Sequence, residues 1–171
     1  MDKKNDTSYC NEKKFSDFFR NNSKSLNNYI FYKCGNAALA SDIVQDAFLK
    51  FWNNCHKIIP GKAKSYVFTI ATNLFLNEYS KNKIVLEFKS TLGKNYTNES
   101  PEFLLEEKEF GRKLQKAISN LTEAQRTAFL MNRIDGKKYK EIAEILGISL
   151  KAVEKRIHNA LVNLRKEIKN I

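Results

Sequence analysis

The 171-residue chain contains only 2 prolines and 6 glycines, which excludes a collagen-like repeat, a proline-rich extended segment or a low-complexity chain. No run of about 18 uninterrupted apolar residues occurs, so no segment is expected to cross a membrane. The opening MDKKNDTSYCNEKKF is polar throughout and lacks the apolar stretch of a secretory signal. The 3 cysteines, Cys10, Cys34 and Cys55, are odd in number and scattered, with no CxxC pair. Their spacing predicts free thiols of a reducing cytoplasm, not a disulfide framework. His56 lies beside Cys55, but no second pair supplies the remaining ligands of a tetrahedral site, so no metal is expected. Paired carboxylates, Cys/His pairs and phosphate loops are missing at mechanistic spacing. Glu141 and Glu144 are read as part of helix packing and not of a cleft. Neither enzymatic activity, a cofactor nor a small-molecule substrate is expected.

What is present is apolar residue and positive charge. Apolar residues make up 42% of the chain, with 12 Phe, enough for a sizeable core. The net charge of +11 favours a polyanionic partner, nucleic acid ahead of an anionic membrane. Charge also divides the chain: residues 1–89 carry a net +6, residues 90–110 a net −3, and residues 111–171 a net +8. The acidic middle holds the polar run STLGKNYTNES, ending just before Pro101, and reads as a linker. A tether this long and polar predicts that the two flanking domains move relative to each other when free.

The periodicity is helical almost everywhere and no alternating strand-like run appears. FSDFFRNNSKSLNNYIFYKC places Phe15, Phe18, Phe19, Leu26, Tyr29 and Ile30 at helical intervals. ALASDIVQDAFLKFWNN puts Ile43, Ala47 and Phe51 on one side, and AKSYVFTIATNLFLNEYSKNK is a third, aromatic-rich helix. Further on, Ser100 and Pro101 fit an N-cap and a first helical position. Thr122 and Gln125 have capping-box spacing. Helices are expected through EEKEFGRKLQKAIS, EAQRTAFLMNR, YKEIAEIL and LKAVEKRIHNALVNLRKEI. The fold class is therefore all-α: two small helical domains over 9–84 and 109–171, joined by an acidic and polar linker over 85–108.

The last two helices carry the clearest pattern. Leu150, Val153, Ile157, Leu161, Leu164 and Ile168 form one apolar stripe. Steps of about 100° place Lys151, Lys155 and His158 opposite Val153, with Glu154 and Asn159 flanking and Arg156 near the seam. Gly147 suits the turn before this helix and Ser149 its cap. A short helix, a turn with glycine and a longer helix with a polar outer face is the arrangement of a helix-turn-helix. Its second helix enters the major groove, where Lys, Asn and His reach base edges. Lys138, Lys140 and Arg156 are placed to hold phosphates. An ordinary helical hairpin with a solvated basic face would show the same periodicity.

Two segments, in order, resemble the extracytoplasmic-function (ECF) group of bacterial RNA polymerase sigma factors. ALASDIVQDAFLKFW is similar to the family's region 2 helix "AeDivQevFlklW". The segment from AISNLTEAQR to RIHNALVNLR is similar to its region 4, and PEFLLEEKEF and NRIDGKKYKEIAEILGIS look particularly like members from the Bacteroidetes. The resemblance implies a promoter-specificity subunit that directs transcription initiation from the cytoplasm. The implied partners are core RNA polymerase, through the clamp helices of its largest subunit, promoter DNA, and a membrane-anchored anti-sigma factor.

Residue by residue, the resemblance places Asp42, Gln45, Asp46 and Leu49 on the polymerase-docking face. Their spacing alone would equally describe a solvated helix face. Asn73 matches the Asn that contacts the melted −10 strand, Lys57, Lys62 and Lys64 lie in the matching base-capturing loop, and Asn77, Lys81 and Lys83 continue the basic edge. Phe68 and Phe75 are assigned to the core, while Tyr66 and Tyr79 are left open for stacking. For the −35 element, the resemblance implies that Glu154, Lys155, His158 and Asn159 would reach bases, with Lys151 and Arg156 mainly on phosphates. Ala152 replaces the family's usual Thr, and NEYSKNK is less arginine-rich than its counterpart. On residues alone a second reading stays open, a stand-alone helix-turn-helix regulator. It accounts for the C-terminal half but leaves SDIVQDAFLKFW without a role.

Overall fold

Helix boundaries in this chain are set by side chains that satisfy the terminal backbone groups. In the computed structural model, which describes residues 9–82 and 101–168 (the side chains of Pro60, Lys81, Asn82 and 101–108 excepted), every regular element is helical. Helix α1 (Glu12–Cys34) starts where the Asn11 side chain accepts the Lys14 N–H, and stops at Gly35. Gly35 takes a left-handed φ of 68° and donates its N–H to the Phe31 carbonyl. Helix α2 (Ala37–Asn53) is capped by Asn36, which accepts the Leu39 N–H at 3.0 Å. Two 3₁₀ turns, Cys55–Lys57 and Pro60–Lys62, lead into α3 (Ala63–Asn82). Helix α4 (Pro101–Asn120) begins at the proline, so residues 101–108, assigned to the linker from composition, are helical. The run 90–100, with the proposed Ser100 cap, and Lys83 lie outside the described residues. Helix α5 (Glu123–Arg133) opens with the Thr122/Gln125 capping box, and α6 (Tyr139–Leu146) and α7 (Leu150–Glu167) follow.

Helices α1, α2 and α3 form the N-terminal core. Phe18 stacks on Phe51 at 4.8 Å between ring centroids, Phe15 meets Trp52 at 4.8 Å, and Tyr29 meets Phe68 at 5.2 Å. Phe51, Phe68 and Leu26 are fully buried, each stabilising by roughly 1.5–3 kcal/mol against exposure. The C-terminal core joins Met131, Ile142, Val153 and Ile157. Leu150 departs from the expected stripe and is 47% exposed, because at the first position of α7 it has no preceding turn to cover it. Glu141 and Glu144 are exposed, not packed, and a Glu141 carboxylate oxygen accepts the Lys138 N–H at 2.9 Å.

Two further expectations are corrected. Cys10 and Cys55 are not free thiols: they form a disulfide, with Cα atoms 5.1 Å apart across 45 residues of sequence. The cause is aromatic packing that no spacing rule shows. Tyr9 rests on Phe18 at 5.1 Å and on Phe51 at 5.6 Å, which brings the chain before α1 against the end of α2. Cys34 alone is free and buried. Its thiol lies 3.3 Å from the Asn36 carbonyl, and burial pushes its pKa up.

The two halves are also in contact and not merely tethered: α1 packs on α5 and α3 on α6. Arg126 is buried between them. Lys33 pairs with Glu123 and lies over the Tyr29 and Phe75 rings. A single Asp135 oxygen receives the Asn28 amide at 2.8 Å and the Tyr32 hydroxyl at 2.9 Å. Composition could not show this joint, because its partners lie about a hundred residues apart.

Candidate nucleic-acid interface

The helix-turn-helix is built from α6 and α7. Gly147 ends α6 with a left-handed φ of 64° and its N–H on the Ala143 carbonyl, a conformation a side chain would strain. Two residues later Ser149 accepts the Ala152 N–H at 3.2 Å and starts α7. Val153, Ile157, Ala160 and Leu164 then face the core. That inner face fixes what points outward: Lys151, Glu154, Lys155 and His158 are exposed, while Arg156 and Asn159 are half-buried at the edges. Lys138 and Lys140 are exposed at the start of α6. Lys151, Glu154, Lys155 and His158 of the predicted −35 set thus share the outer face of α7, with Arg156 and Asn159 at its edges and Lys138 and Lys140 at the start of α6, an arrangement able to meet a major groove with cations on the flanking backbone.

In the N-terminal half, Asn73 and Asn77 are exposed one turn apart on α3, Lys57 and Lys62 are exposed in the turns leading into it, and Lys64 is exposed in its first turn. Lys81 lies in the last turn of α3, but its side chain lies outside the described residues. Phe68 and Phe75 are buried as assigned. Tyr66 packs against the core 6.1 Å from the Phe51 ring and is not a free stacking platform. Tyr79 is 45% exposed and is free to be one. Sequence reasoning missed Leu76, 48% exposed between Asn73 and Asn77, and Ile59, 60% exposed in the loop. Exposed apolar residues beside amides suit unstacked bases.

On α2 the inner residues Ile43, Val44, Ala47 and Phe48 are buried, and Asp42, Gln45, Asp46 and Leu49 are all exposed, Leu49 by 61%. Sequence reasoning missed what lies beside them. A groove of ≈ 540 Å³ runs between α1 and α2, lined by Phe15, Phe19, Phe48 and Trp52 together with Gln45 and Leu49. The signal was Phe19 itself, a bulky apolar residue left on the outside of α1. Two carboxylates beside an apolar groove make a surface for a basic, amphipathic partner helix.

Comparison with known proteins gives these surfaces a context. The Sigma-70 region 2 family model matches residues 18–84, and the Sigma-70, region 4 model matches residues 111–164. The chain is 30% identical to the ECF RNA polymerase sigma factor SigW of Bacillus subtilis, covering 80% of this chain and 79% of that protein. It is also 30% identical to the ECF RNA polymerase sigma factor SigE of Mycolicibacterium smegmatis, covering 77% of this chain but 52% of that longer protein. Among solved structures, the sigma factor RpoE of Bartonella quintana, in complex with the anti-sigma factor NepR, aligns with a TM-score of 0.63 at 22% identity. That alignment covers 92% of this chain and 98% of RpoE, a likeness of fold.

Proposed function

We infer the function of this chain from its family: it belongs to the ECF group of RNA polymerase sigma factors. It is a promoter-specificity subunit that binds core RNA polymerase and directs transcription initiation at a subset of promoters. The observation that carries this reading is that one chain presents both an exposed basic recognition helix, α7, and an exposed acidic and apolar face on α2. A stand-alone regulator needs only the first.

The finer assignments follow. The working division is a region 2 domain over 9–84, a linker over 85–108 and a region 4 domain over 109–171. Asp42, Gln45, Asp46 and Leu49 dock on the clamp helices of the polymerase's largest subunit, their carboxylates against basic residues there. The −10 element is read as melted single strand by Asn73 and Asn77, with Lys57, Lys62, Lys64 and Lys81 along the backbone. The −35 element is read as duplex by Glu154, Lys155, His158 and Asn159, with Lys138, Lys140, Lys151 and Arg156 on phosphates. The protein acts in the cytoplasm. Its inhibitor is a membrane-anchored anti-sigma factor; the Bartonella structure, solved with an anti-sigma factor, supports an anti-sigma partner.

The test is transcription in vitro with purified core polymerase and a fragment library from the source genome. Transcripts starting at defined sites only when this protein is added are the expected result, and their upstream sequences give the promoter. If core polymerase gains no start sites while the protein alone retains specific duplex DNA, the stand-alone regulator replaces this reading.

A further inference from the structure

The Cys10–Cys55 bond ties the segment before α1 to the first residue of the loop that follows α2. Cys10 is exposed and immediately precedes Asn11, the cap of α1. Cys55 opens the 3₁₀ turn Cys55–Lys57, the first residue of the loop that carries Lys57 and Lys62 toward α3. The loop's backbone hydrogen bonds are local: the Lys57 N–H meets the Asn54 carbonyl, Ile58 meets Cys55, and Lys62 meets Ile59. Ile58 packs inward, whereas Ile59 is exposed. The disulfide thus adds an anchor from outside the loop, running to the Tyr9 segment that rests on Phe18 and Phe51. Loop residues freed of such an anchor must be ordered again when they bind.

We propose that Cys10 and Cys55 form a reversible redox site that sets the order of the −10 loop. Oxidised, the loop is held ready for single-stranded DNA; reduced, the loop loses its tie to the Tyr9 segment and promoter opening weakens. This rests on the reading of Lys57 and Lys62 as part of the −10 reader. Disulfides in a cytosol facing thiol reductants are usually transient and redox-sensing, which fits a bond at the surface better than one buried in the core.

The chemistry is thiol–disulfide exchange with a dithiol, either a small molecule or a dithiol protein. Its thiolate attacks one sulfur of the pair, on the side of the exposed Cys10, giving a mixed disulfide and releasing the other cysteine as a thiolate. The dithiol's second thiol then displaces the first cysteine. The dithiol leaves oxidised to a disulfide, and Cys10 and Cys55 together gain two electrons and two protons. Exchange with an oxidised dithiol is the reverse. Cys34 stays out of the cycle because it is buried in the last turn of α1, with a thiol that burial makes harder to ionise.

The experiment uses the full chain with core polymerase on a promoter recovered from the fragment library. The holoenzyme is equilibrated in buffers of reduced and oxidised dithiothreitol, and thiols are trapped by alkylation and assigned by mass spectrometry. Permanganate reactivity of −10 thymines reports open complexes. The expected result is conversion of Cys10 and Cys55 as a pair and about tenfold fewer open complexes on reduction, a difference of about 1.4 kcal/mol. Reoxidation restores the signal, Cys34→Ser follows the parent, and Cys10→Ser and Cys55→Ser stay low in either buffer. Because the unsubstituted chain is cycled reversibly, misfolding of a variant does not decide the matter. Equal open-complex levels in both confirmed thiol states overturn the proposal while leaving the sigma reading intact. Failure to form the bond in the oxidised buffer overturns it too. No start sites in either state overturns the sigma reading, and this proposal with it.

Discussion

Arg126 in α5 donates from Nε to the Tyr32 carbonyl of α1 at 2.9 Å. Its Nη2 reaches the Lys33 carbonyl at 3.3 Å, and its Nη1 reaches the Ser119 and Leu121 carbonyls at 3.3 and 3.1 Å. One guanidinium therefore satisfies carbonyls at the C-terminal end of α1 and around the end of α4, where helices leave acceptors without internal partners. The fork of an arginine fits four such acceptors at once; a lysine ammonium does not.

Replacing Arg126 by Met keeps the packed stem and leaves those carbonyls without their donor. The expected loss is about 2–4 kcal/mol, with Arg126→Lys recovering only part of it. Urea unfolding checks this with two probes. Trp52, the single tryptophan, reports the N-terminal core, and far-ultraviolet circular dichroism reports both halves. The two transitions should coincide in the parent and separate in Arg126→Met. A loss below about 1 kcal/mol with transitions still coincident would show that the joint is held elsewhere.

Tyr32 links the same joint to pH. Its hydroxyl donates to an Asp135 carboxylate oxygen, and burial first, then the Asp135 charge and hydrogen bond, push its pKa well above the ordinary 10.0. A proton held more tightly in the folded than in the unfolded chain stabilises fully below pH 10 and is lost as pH rises toward the folded value. Stability should fall above that point by up to roughly 1.4 kcal/mol per pH unit from this group. Tyr32→Phe removes that component and costs about 1.5–3 kcal/mol at neutral pH, the worth of a hydrogen bond to a charged acceptor. Urea midpoints of both chains at pH 8, 9, 10 and 11 test it through their difference, which cancels the other titrating groups. A difference that stays constant across the series refutes the assignment.

The docking face on α2 gives a separate expectation. Asp46→Lys reverses one exposed carboxylate, and Leu49→Ala removes an exposed apolar side chain beside the Phe15–Trp52 groove. Neither position supports the core, so stability should change by less than about 0.5 kcal/mol. Affinity for core polymerase should fall by about tenfold or more for Asp46→Lys, with slower association at low salt. Fluorescence anisotropy of labelled protein titrated with core polymerase measures both. Unchanged affinity in both variants would move the docking face away from α2.

How much of this was legible in the sequence depends on the range of the physics. Helical periodicity and caps act within four residues, so helices α1 to α7 of the described residues, the Ser149 cap, Gly147 and the outward set on α7 could all be read locally. The exposure of Asp42, Gln45, Asp46 and Leu49 followed from the same periodicity, because Ile43, Ala47 and Phe51 fix the inner face. The disulfide, Arg126 on Tyr32, and Asp135 on Asn28 and Tyr32 join segments far apart in the chain. They arise from how helices pack, and no local pattern encodes them. The groove beside Leu49 was missed for the same reason: an apolar residue at helical spacing reads as core until its neighbours are placed.

The outer face of α7 separates two kinds of contact. Lys151 stands in the first turn of the helix, exposed, where a phosphate is the nearer partner; Glu154 and His158 follow one and two turns on, also exposed. If Lys151 holds a phosphate, Lys151→Ala should weaken holoenzyme binding to every promoter by a similar factor and lower the slope of log affinity against log salt by about 1. If Glu154 and His158 read bases, Glu154→Ala and His158→Ala should cost about 1–3 kcal/mol on the native −35 sequence. They should cost much less on a variant altered at the contacted pair, leaving the salt slope nearly unchanged. Binding of holoenzyme to a promoter series with each −35 position substituted, at several salt concentrations, distinguishes the two. A uniform loss from His158→Ala across the whole series would place His158 on the backbone and leave Glu154, Lys155 and Asn159 to carry the sequence reading.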